Sequence, residues 1–92
     1  MLFSLTPKPI DPLTAPFIFD HVDTAVHNFP DESYIIGSMV LTGNGWSWGG
    51  LHRFIRPDVP EEIEWAEERS QGIAPTKAEA LAACVAWMRG RL

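Results

Sequence analysis

The sequence predicts a small α+β fold: an antiparallel β-meander of about three strands, covered on one face by a C-terminal α-helix. Three observations predict it. Two β-type runs, residues 34–41 and 46–55, are joined by Gly43-Asn44-Gly45, and Asn-Gly between such runs is a strong short hairpin signal. Residues 76–88 read as a helix with a defined start: Thr76 and Glu79 have capping-box spacing, and Pro75 disfavours an earlier start. The helix carries an apolar stripe, Leu81, Cys84, Val85, Met88 and Leu92, that matches an aromatic face of the hairpin.

Residues 1–16 carry Pro7, Pro9, Pro12 and Pro16 and read as an extended, polyproline-like arm, with residues 17–92 as a single domain. Phe17-Ile18-Phe19 is a short β-type run, and Asp23 reads as the cap of a helical turn through Val26, closed by Asn28 and Pro30. Taking Asn44-Gly45 as the hairpin loop pairs Gly43 with Trp46, Leu41 with Trp48, Met39 with Gly50, Gly37 with His52 and Ile35 with Phe54. One hairpin face then holds Ile35, Met39, Leu41, Trp46, Trp48 and Phe54. The opposite face holds Tyr34, Ile36, Val40, Leu51, Arg53 and Ile55 among others and has no second helix to cover it, so it is free for self-association or a partner, or is covered equally well by the N-terminal arm. Residues 58–73 carry signals for both helix and strand. Asp58 and Glu61 repeat the capping-box spacing, while Trp65, Glu67, Arg69 and Gln71 alternate as an edge strand would. The reading adopted is a helical turn over 60–64 and a short strand around 65–73.

Composition sets the class. With 92 residues, 46% hydrophobic, four Trp and five Phe, the chain can bury one core. Seven Lys and Arg against twelve Asp and Glu give a net charge of −5, which argues against a nucleic-acid binder and permits a partner with a basic surface. Cys84 is the single cysteine, which excludes an internal disulfide or a cysteine-based zinc site and reads as a small buried hydrophobe. The first residues lack a basic region followed by an unbroken apolar one, and no run approaches the ~18 apolar residues of a membrane span, so the expected location is cytoplasmic.

The C-terminal half, through Trp46-Ser47-Trp48, a proline-containing connection, Gly72-Ile73-Ala74-Pro75-Thr76-Lys77-Ala78-Glu79-Ala80 and a helix ending near Trp87, resembles a pattern in small uncharacterised proteins of proteobacteria and their phages. The resemblance implies a β-meander followed by a helix and brings no catalytic residues with it.

The leading functional candidate is the acidic stretch Asp58, Glu61, Glu62, Glu64, Glu67 and Glu68, six carboxylates in eleven residues with no base between Arg56 and Arg69. Closely spaced carboxylates imitate a phosphate row and can occupy a basic nucleic-acid channel; the plainer reading is a solvated face that keeps a small domain soluble. Asp20, His21, Asp23 and His27 offer N and O ligands for a metal, but a six-residue His spacing fits no familiar site, and no cofactor is expected. Ser47 and His52 lack the strand-to-helix turn of a nucleophile elbow. Trp46, Trp48, Trp65 and Trp87 could stack bases, but the basic groove that accompanies such platforms is missing. The expectation is therefore a non-enzymatic protein-binding domain, a monomer or homodimer without direct nucleic-acid or membrane contact. The narrowest form of that expectation, by analogy alone, is an anti-CRISPR-like inhibitor of a nucleic-acid-handling defence complex. The alternative is a small structural or accessory protein that self-associates through the uncovered face around Ile36, Val40, Leu51 and Ile55.

Overall fold

The computed structural model describes residues 11–56 and 64–92. The expected helical turn over 60–64 falls almost wholly on residues 57–63, as do Asp58, Glu61 and Glu62; these, with residues 1–10 of the proline-rich arm, lie outside the described residues.

Four strands form one antiparallel sheet in the order of the chain: β1 (Thr24–Asn28), β2 (Tyr34–Thr42), β3 (Gly45–Ile55) and β4 (Trp65–Ala74). Among the described residues a single helix, α1 (Lys77–Arg89), follows and packs on one face. The α+β class, the antiparallel sheet and the covering helix are as expected, but the sheet has one strand more than the sequence predicts.

The additional strand is β1, where a helical turn capped by Asp23 was expected. Asp23 adopts φ 56°, in the left-handed region, whereas a capping residue is extended. Its carbonyl accepts from the Met39 N–H at 3.1 Å, which begins the β1–β2 ladder. Asp20 supplies the turn instead, its Oδ1 accepting from the N–H groups of Val22 and Thr24 at 2.9 and 3.0 Å. Thr24 and Val26 are β-branched and fit a pleated surface, with Ala25 fully buried and Val26 exposed on alternate sides. Phe17-Ile18-Phe19 forms no strand of this sheet; Phe17 is a core residue and Phe19 packs against it.

The β2–β3 turn also differs from expectation. Thr42 pairs with Gly45, so Gly43-Asn44 is the loop, and every pair is displaced by two residues, for example Leu41 with Trp46 and Met39 with Trp48. In this turn Gly45 alone has positive φ, 124°, so it is not type I′. Thr42 fixes it: its Oγ1 donates to the Gly45 carbonyl at 2.8 Å and accepts from the Asn44 N–H at 3.2 Å. A slip of two residues leaves every side chain on its predicted face, because strand faces alternate with period two.

Residues 65–74 are strand, as the alternation of Trp65, Glu67, Arg69 and Gln71 predicts. Thr76 caps α1, its hydroxyl accepting from the Glu79 N–H at 3.2 Å. At the other end Arg89 donates to the carbonyls of Pro12, Leu13 and Ala15 at 2.9–3.1 Å, tying the turns at 12–16 to the helix C-terminus.

The core lies between α1 and the sheet: Phe17, Ala25, Ile35, Cys84, Val85 and Met88, with Trp48 and Trp87 packed at its margin. Glycines on the inner face let the rings approach. A Cβ on Gly50 would lie 2.4 Å from the Trp87 ring, one on Gly37 2.4 Å from the Met88 sulfur, and one on Gly72 2.5 Å from Trp48 Nε1. Among the described residues no helix is long and apolar enough to cross a membrane.

Candidate functional site

The helix covers one face of the sheet, and no other element among the described residues covers the second face. Strand alternation and the register place side chains on the open face in rows that cross the sheet. One row is Val26, Ile36, Leu51 and Arg69. The next, toward the β2–β3 turn, is Thr24, Ser38, Gly49 and Gln71. Val40, Ser47 and Ile73 follow, while Tyr34, Arg53, Glu67, Ile55 and Trp65 occupy the opposite end.

About half of the side chains on this face are apolar, more than a fully solvated sheet face would carry. Val26, Val40 and Ile73 are 53%, 59% and 60% exposed. Ile36, Leu51, Ile55 and Trp65 are half-buried by their neighbours. The relief is uneven. Val26, Ile36 and Leu51 form a ridge, and beside it a hollow of about 300 Å³ is lined by Ser38, Val40, Ser47, Gly49, Arg69 and Gln71. A Cβ added at Gly49 would meet nothing within 4 Å, so that glycine borders empty space, unlike its neighbour Gly50. The charged side chains of the face are Arg53, Glu67 and Arg69; Arg69 pairs with Glu67 at 3.0 Å, and Arg53 lies 4.8 Å over the Trp65 ring.

The acidic stretch does not form one continuous row over its described part. Glu67 points to the open face and Glu68 to the helix side, as neighbours on a strand must. Each acid has a cationic or ring-nitrogen neighbour: Glu64 with Arg56 at 3.4 Å, Glu67 with Arg69, and Glu68 with His52 Nδ1 at 3.2 Å and Arg91 at 3.4 Å. Folding supplies the bases: Arg56 and His52 from across the sheet, Arg69 along β4 and Arg91 from just beyond α1. His52 is held further by stacking on Phe54, ring centroids 4.8 Å apart.

The other candidates separate too. Ser47 and His52 point to opposite faces of β3, so no nucleophile–base pair forms between them. His27 sits edge-on between Phe17 and Phe29, at 5.5 and 5.0 Å, while His21 is exposed. Asp23 pairs with Lys77 at 2.8 Å, and Lys77 in turn lies 5.3 Å over Trp46. Among the described residues no group of three or more His, Cys, Asp or Glu side chains is arranged to hold a metal ion. Trp46, Trp48 and Trp87 belong to the helix side and Trp65 to the open face, so the four rings do not make one platform. Cys84 is buried in the core, and burial raises its thiol from 9.0 to about 11, as expected of an inert hydrophobe.

The ridge was legible in the sequence as the uncovered hairpin face, but Val26 and the hollow at Gly49 were not. Val26 needed β1 to be recognised as a strand, and the hollow needed the true register, which sets Ser38 against Gly49. Compared with protein-family models, curated proteins and solved structures, the chain finds no match.

Proposed function

We propose that this chain is a protein-binding domain whose working surface is the open face of its sheet, with a cytoplasmic location as part of the same reading. The observation that supports it is the grouping of Val26, Val40 and Ile73, each more than half exposed, around the half-buried Ile36 and Leu51 on one side of the sheet. Several exposed apolar side chains gathered on one sheet face, with few charges among them, fit an interaction site better than a solvated sheet. Site-directed thiol labelling tests this. Cysteine is placed at Val26 or Ile73 on the open face, or at Ala82 on the exposed side of α1; buried Cys84 keeps the background low. Maleimide labelling several-fold slower in the native cells than in dilute purified protein, at the two open-face positions alone, supports the proposal. Equal rates at all three positions would remove it.

A second reading is favoured by Glu64 and Glu67, whose side chains remain 50% and 42% exposed at the end and along the edge of the sheet. In it, the acids Asp58, Glu61, Glu62, Glu64, Glu67 and Glu68 occupy the basic nucleic-acid site of a defence complex, an inhibitory role of anti-CRISPR type. Its test is inhibition of DNA cleavage by an RNA-guided nuclease, compared with a folded variant in which Glu61, Glu64 and Glu68 are Lys. Equal behaviour of the two proteins would exclude the acidic mechanism.

A further inference from the structure

Resting on the open-face reading, we propose that the partner seated on that face is a second copy of this chain. The product is a two-fold dimer, layered helix–sheet–sheet–helix.

The relief of the face is self-complementary. The ridge of Val26, Ile36 and Leu51 lies one strand-pair row from Ser38 and Gly49 and two from Ser47, all three of which line the hollow. A two-fold axis passing between ridge and hollow sets each copy's Ile36 and Leu51 into the other's hollow, the isologous contact that such symmetry requires. The hollow has the room: about 300 Å³, with open space where Gly49 lacks a side chain.

The charges permit the approach. Each chain carries −5, so two copies repel over most of their surfaces. The described charged residues of the open face are Arg53, Arg69 and Glu67, two bases against one acid. This face is therefore free of the acid excess, and its one acid, Glu67, is already paired with Arg69 in its own chain.

The area suffices for a modest complex. Four strands ~4.8 Å apart and ~30 Å long present a footprint of roughly 500 Å², allowing for short β1. Doubled, that is about 1,000 Å², the lower bound for a specific interface, so affinity in the micromolar range is expected.

Sedimentation velocity from about 5 to 500 μM tests the proposal, the range being set by that expected affinity. Wild type should pass from monomer to dimer as concentration rises. Gly49→Val fills the hollow at a position where an added Cβ meets no atom within 4 Å and β-branching suits a strand. It should keep the fold, shown by an unchanged circular dichroism spectrum, and weaken association at least tenfold. Val40→Lys should do the same, and Ala82→Lys on the exposed side of α1 should leave association unchanged. A wild type that stays monomeric throughout overturns the second-copy inference; protection of Val26→Cys and Ile73→Cys in cells would then still uphold the open-face reading, with another protein as occupant. A dimer unaffected by both Gly49→Val and Val40→Lys uses another surface and overturns this inference.

Discussion

Gly50 and Trp87 form the contact on which the placement of α1 depends, and substituting them singly and together measures it. A methyl group at Gly50 would lie 2.4 and 2.5 Å from Trp87 Cε3 and Cζ3, where about 3.5–4.0 Å is the normal carbon–carbon separation. The ring must therefore retreat by about 1 Å or more, and overpacking of this kind costs about 1–3 kcal/mol. Against that, alanine is favoured over glycine inside a strand by roughly 0.5–1 kcal/mol. The net expectation for Gly50→Ala is a loss of about 1–2 kcal/mol, a fall in Tm of roughly 4–16 °C for a domain of this size. In the background of Trp87→Leu the clashing ring atoms are gone. There Gly50→Ala should cost nothing or gain up to about 1 kcal/mol, a coupling between neighbours of about 1–3 kcal/mol. Urea unfolding followed by circular dichroism, at one fixed protein concentration, gives all four stabilities. The same destabilisation by Gly50→Ala in both backgrounds would show that Trp87 does not lie over Gly50, and the docking of α1 on β3 would have to be redrawn.

Three further outcomes are expected. Arg89→Ala removes the donors to the carbonyls of Pro12, Leu13 and Ala15; it should speed amide exchange in residues 13–17 severalfold and cost about 1 kcal/mol overall, since the site is exposed. The Cys84 thiol, raised from 9.0 to about 11 by burial, should react with iodoacetamide at pH 8 only at the rate of opening. Because the folded state holds that proton more tightly, its contribution to stability is complete below pH 9 and fades as pH rises toward about 11. Asp31 accepts from the Ser33 hydroxyl and N–H, which hold its carboxyl below 3.8. Its contribution is therefore present above that value and fades as acid protonates the folded form, so Asp31→Asn should flatten the acid limb of a stability–pH profile measured by urea unfolding.

The parts of the fold that were legible in the sequence are those whose signals are local. Thr76 and Glu79 define a helix start within four residues, and the parity of Ile35, Met39, Trp46 and Trp48 assigns the buried face. That parity survives the two-residue error in the turn because a side chain's face depends only on odd or even position. What failed depended on distant partners. β1 is a strand because Asp23 and Ala25 pair with β2, and Asp23 next to Thr24 resembles a helix cap until that pairing is known. The site divides the same way. Ile36, Val40 and Leu51 were visible as an uncovered stripe, whereas the hollow depends on Ser38 meeting Gly49 across the correct register. The acids looked uncompensated because Arg91 and His52 approach Glu68 from other elements of the fold.

The central claim, that the open face receives the ridge of another molecule, is met most directly by isotope-filtered nuclear Overhauser spectroscopy on an equal mixture of labelled and unlabelled chain near 1 mM. Intermolecular contacts from the methyl groups of Ile36 and Leu51 to the α-protons of Gly49 and the β-protons of Ser38 are predicted, and those to Ser38 should weaken in Gly49→Val. Contacts confined to α1, or none at a concentration where the chain sediments as a dimer, would contradict it.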